Sequence, residues 1–115
     1  MNTRTKLVTL TLAGLATLSS AAFLVNFSGY LGPDNHRDHY FDISPGCYSV
    51  DMTNLNAGDL DAQVFDEDGW LLDEDTLNDN HPMLYFCSDR SQTIVVRVIN
   101  ASDWRTANYR GTIDP

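Results

Sequence analysis

The sequence predicts an all-β protein: a small antiparallel β-sandwich, jelly-roll or Ig-like with about seven strands, following an N-terminal signal peptide. Three observations predict it. Short runs of alternating apolar and polar residues recur between turn signals, at the roughly 8–12-residue spacing of sandwich strands. No stretch keeps a helical period. Two cysteines, Cys47 and Cys87, follow an export signal, and an even count in an oxidising compartment favours pairing.

The 115 residues suffice for one domain. Arg4 and Lys6 form a positive start, Leu7 to Leu18 an uncharged apolar stretch, and Ser20-Ala21-Ala22 a small-residue cleavage pattern. That order is what export machinery reads, so residues 1–22 are assigned as signal peptide. An uncleaved anchor is the alternative, since Leu7 to Val25 approaches the ~20 residues that span a bilayer, but threonines, serines and a glycine interrupt it. No stable membrane insertion is expected after cleavage. The exported part keeps five arginines against sixteen acids, a net charge of −11. Nucleic acid and anionic membranes are thereby excluded as partners, because both need a basic patch. The expected location is periplasmic or secreted.

Residues 23–38 read as a linker, rich in the turn formers Gly29, Gly32, Pro33, Asp34 and Asn35. The sandwich is expected over 39–115. His39 to Ile43 alternates as a first strand, and Pro45-Gly46 turns it. Cys47 to Met52 follows, with Tyr48, Val50 and Met52 inward and Cys47, Ser49 and Asp51 outward. In Leu60 to Phe65, Leu60, Ala62 and Val64 face inward. Asp66-Glu67-Asp68-Gly69 is the clearest hairpin signal, and Trp70 to Leu72 returns from it. Asp73 to His81 reads as a polar loop. Met83 to Cys87 places Leu84 and Phe86 inward. Ile94 to Ile99 is β-branched almost throughout, and Asn108 to Ile113 is the last strand. With Cys47 and Cys87 both outward, a bridge needs only that their strands be neighbours.

In the same order, His39-Tyr40-Phe41-Asp42-Ile43, Ser44-Pro45-Gly46-Cys47-Tyr48-Ser49-Val50, Gly58-Asp59-Leu60-Asp61-Ala62-Gln63-Val64-Phe65-Asp66, Asp68-Gly69-Trp70-Leu71-Leu72, Ile94 to Ile99 and Tyr109-Arg110-Gly111-Thr112-Ile113 resemble the strands of the bacterial pre-peptidase C-terminal domain family. The resemblance implies a β-sandwich module of the kind appended to secreted proteases. It also implies substrate or matrix binding, in some members with calcium.

Nine acids lie between Asp59 and Asp79, and no Lys or Arg intervenes between Arg37 and Arg90. Such crowding suits a hard cation with oxygen ligands. Asp66, Asp68, Asp73 and Asp75 are the candidate calcium ligands. An EF-hand does not fit, because aligning Gly69 to its glycine puts Val64 at the first ligand position. The competing reading is a solvated acidic edge that keeps strands from pairing with other chains. His36-x-x-His39 with Asp34 or Asp38 has zinc-compatible donors, against the plainer reading of exposed histidines. No Gly-x-Ser-x-Gly elbow and no spare cysteine exist, and a glycosidase would need a cleft as well as paired acids. No enzyme is expected. Trp70 and Tyr48 read as core, whereas Trp104 lies in a polar loop and Tyr85 on an outer face. The expected function is a non-catalytic exported binding module for a protein or polysaccharide partner, with Trp104 and Tyr85 as contacts. The alternative is a calcium-stabilised structural module of an extracytoplasmic assembly.

Overall fold

The computed structural model describes residues 24–115, so the signal-peptide assignment lies outside the described residues. Eight strands run in chain order: β1 (Val25–Leu31), β2 (His36–Ile43), β3 (Gly46–Asn54), β4 (Leu60–Phe65), β5 (Leu71–Asp75), β6 (Met83–Ser88), β7 (Gln92–Asn100) and β8 (Ala107–Asp114). They form two four-stranded antiparallel sheets. Sheet one has the order β1-β8-β3-β6, sheet two β2-β7-β4-β5. Only the β4–β5 connection stays within one sheet, so nearly every turn carries the chain across the sandwich.

Two expectations are corrected. Residues 23–38 are not a linker, because β1 pairs with β8 from Val25↔Ile113 to Leu31↔Ala107 and β2 begins at His36. Gly29 conceals this strand's period in the sequence. A Cβ there would collide with the Tyr109 ring, so the position has to be glycine for β1 to close over the core. The polar loop expected from Asp73 is strand β5 as far as Asp75.

The core lies between the sheets and follows the alternation. Tyr48, Val50 and Met52 of β3, Leu60, Ala62 and Val64 of β4, and Ile94, Val96 and Val98 of β7 are buried. Each fully buried large side chain contributes roughly 1.5–3 kcal/mol relative to exposure. Cys47 and Cys87 face each other directly across β3 and β6 and are joined by a disulfide, Cα–Cα 3.9 Å. Being on the outer face, the bridge links the strands without taking core volume.

Two buried asparagines tie the loops together. Asn100 Nδ2 donates to the carbonyls of Leu31 (3.4 Å), Gly32 (3.1 Å) and Arg105 (2.7 Å), and its Oδ1 accepts from Ser102 N. Asn54 Oδ1 accepts from Asn56 N and Asn108 N. Backbone groups at strand ends that would otherwise lie unsatisfied find partners in this way.

Candidate functional site

The outer face of sheet two carries a feature that composition does not suggest. Residues facing outward on adjacent strands form cross-strand rows. Tyr40 of β2 pairs with Val95 of β7, Val95 with Phe65 of β4, and Phe65 with Leu71 of β5, which makes an apolar row across the whole sheet. The next row is Asp38, Arg97, Gln63 and Glu74. A register shift between Val64 and Phe65 bends β4 at the apolar row.

Asp38 and Arg97 are locked together. Arg97 Nε donates to Asp38 Oδ1 at 2.8 Å and Nη2 to Oδ2 at 3.1 Å. This paired donation holds the Asp38 carboxyl below the usual carboxylate range. The same guanidinium lies 5.3 Å from the Phe65 ring centre, a cation–π contact.

The β4–β5 hairpin rises beside this face as a wall. Asp66 Oδ1 accepts from the backbone N–H of Asp68 and of Trp70, both at 2.9 Å, and Gly69 supplies a positive φ of 89°. The hairpin is tied to the β6–β7 turn, because Glu67 N donates to Gln92 Oε1 at 3.0 Å and Arg90 bridges Glu67 and Asp68 at 3.4 and 3.3 Å. Wall and floor enclose an open groove of roughly 680 Å³, with Val95 at its floor, Tyr40 and Phe65 along it, and Asp66 to Gly69 at its side. Tyr40 is 64% exposed. The groove has an apolar base with charged groups at its margin, the usual make-up of a ligand-contact surface.

The structure scatters the residues expected from sequence. Trp104 is 69% exposed, but Arg105 covers its ring at 4.2 Å. Tyr85 is 62% exposed on the outer face of sheet one, opposite Ser49, whereas the loop carrying Trp104 emerges near Asn54. Five strand residues separate those levels, roughly 17 Å at strand rise, so the two aromatics do not share a surface patch. Tyr48 is core as expected. Trp70 is not: at 72% exposure it stands on the hairpin wall. The reason is that β5 begins only at Leu71, so Trp70 belongs to the turn.

The four candidate calcium ligands are also divided. Asp66 is engaged in its turn, and Asp68 faces Arg90. Asp73 Oδ2 accepts from Tyr85 N at 2.8 Å, and Asp75 Oδ2 from Met83 N at 3.0 Å. β5 and β6 are the edge strands of different sheets, and these two carboxylates close the seam by capping amides of β6 that no strand pairs. Among the described residues no three His, Cys, Asp or Glu side chains converge as a metal site. His39, expected to be exposed, is half-buried. Its Nε2 lies 2.6 Å from the Tyr109 hydroxyl and its ring 4.9 Å from Phe27, and burial pushes its pKa down.

Asp59 and Asp61 are a separate pair. One Oδ1 of each is buried without a hydrogen-bond partner. Burial, and next to it the carboxyl of Asp59, push Asp61 up to about 6.

No protein-family model matches the sequence, and no curated protein matches it. Solved structures do. The pre-peptidase C-terminal domain of a collagenase from Bacillus anthracis superposes with a TM-score of 0.65 at 14% identity, over 77% of this chain and 87% of that one. PliG of Aeromonas hydrophila, a periplasmic inhibitor of g-type lysozyme, gives 0.61 at 8% identity, over 85% and 90%. The SPBc2 prophage-derived protein YomS gives 0.51 at 12%, over 87% and 100%. At such identities the likeness is one of fold, and the chain has the β-sandwich fold of pre-peptidase C-terminal domains.

Proposed function

We propose that this protein is a non-catalytic, extracytoplasmic binding module whose partner, a protein or a polysaccharide, docks on the outer face of sheet two. The observation that carries this reading is the groove over Val95, an apolar row left open beside a hairpin wall that hydrogen bonds hold in place. Rigid walls reduce the ordering cost of binding. The fold likeness to the pre-peptidase C-terminal domain of a collagenase and to a periplasmic lysozyme inhibitor supports a module that works by contact.

The calcium-stabilised alternative has less support, since Asp73 and Asp75 already serve β6 amides. Val95→Arg tests the binding reading. The substitution fills the groove floor from the outer face, so the melting temperature should hold. Retention of the protein on extracytoplasmic material from its producing cells should fall at least tenfold, about 1.4 kcal/mol. Unchanged retention would remove the groove as the docking surface.

A further inference from the structure

Resting on that reading, we infer that the partner at the groove is a protein that presents cationic side chains, arginine above all, and not a glycan. Charge complementarity is the first ground. Five arginines face sixteen acids over the exported part, and at the groove four acids, Asp38, Asp66, Glu67 and Asp68, outnumber two cations, Arg97 in the lining and Arg90 against its wall. A basic segment is drawn to such a margin, whereas an acidic polysaccharide is repelled.

The second ground is that the groove already seats one guanidinium group of its own chain. Arg97 lies between a carboxylate and an aromatic ring, bidentate on Asp38 and over Phe65. A second guanidinium, that of Arg90, packs against Glu67 and Asp68 of the hairpin wall. Aromatic faces and carboxylates at this spacing are what a guanidinium selects. Of the two aromatic residues that line the groove, Phe65 is already covered by Arg97, so the exposed Tyr40 is the one left open to a partner's cation beside the acidic margin, and it is the contact residue this inference rests on.

The test is a titration of the exported, oxidised protein with a fluorescein-labelled peptide of alternating arginine and glycine. Its glutamate counterpart and an uncharged β-linked glucose oligosaccharide serve as comparison ligands. Saturable binding of the arginine peptide is expected, weakened about fivefold by Tyr40→Ala and less than about twofold by Tyr85→Ala, an equally exposed tyrosine on the opposite sheet. Both variants should keep the parent melting temperature. Equal weakening by the two variants would show diffuse charge attraction and overturn the inference, as would the absence of saturation. Saturable binding of the oligosaccharide, sensitive to Tyr40→Ala, would also overturn it while leaving the binding-module reading standing.

Discussion

Removing the charge of Asp61 should stabilise the protein near neutral pH and do nothing in acid. Asp61 leaves β4 beside Asp59, and each has a buried carboxylate oxygen with no hydrogen-bond partner. Burial, then Asp59, Asp75 and Asp79, raise the folded pKa from 3.8 to about 6. The native state therefore holds a proton that the unfolded chain has released between those values, and stability falls as pH rises through that window. Below about pH 4 both states are protonated and the penalty vanishes. Two pKa units correspond to roughly 3 kcal/mol, but Asp61 is only partly buried, and solvent screening reduces this to about 1 kcal/mol. In Asp61→Asn the amide can also donate to the orphaned Asp59 oxygen. Thermal unfolding in chelator-containing buffer should show a rise in melting temperature of roughly 4–8 °C near pH 7 for a domain of this size, shrinking to nothing near pH 4. An equal gain at both pH values, or a loss near pH 7, would refute the argument.

Other outcomes follow from the same contacts. Replacing Cys47 and Cys87 together by alanine releases a loop closed over a separation of 40 residues; denaturant unfolding should show a loss of about 4 kcal/mol, with the folded near-ultraviolet spectrum retained at low denaturant. Asn100→Ala leaves three carbonyls without their shared donor, and equilibrium unfolding should report a loss of about 2–3 kcal/mol. The double variant Asp73→Ala, Asp75→Ala uncaps two amides of the β6 edge, and light scattering at raised concentration should detect association that the parent chain does not show.

Much of the sandwich was legible because strand alternation reports burial directly. Tyr48, Val50 and Met52 bury and Cys47 faces out, as their period requires, and the same alternation put both cysteines on one outer face. The Asp66 to Gly69 hairpin was legible because few residues tolerate its backbone. β1 was not, since Gly29 replaces a strand residue with a turn former and Tyr109 fills the space. Asp73 and Asp75 look like loop ligands because an isolated sequence does not show that the edge of another sheet needs acceptors there. The groove was illegible for a similar reason. Tyr40, Phe65 and Val95 lie far apart in sequence and become neighbours only through the register of three strands. The available signal was an apolar or aromatic residue at the outward phase of each of β2, β4 and β7, which a buried sandwich does not need.

Photo-crosslinking in the producing cells tests the docking surface most directly. A benzophenone side chain is placed in turn at Tyr40 in the groove, at Tyr85 on the opposite sheet and at Trp104 in the β7–β8 loop. The account predicts a discrete adduct from position 40, abolished by Val95→Arg, and none from positions 85 and 104. Adducts from 85 or 104 with none from 40 would contradict it and return the binding surface to the aromatics that the sequence first suggested.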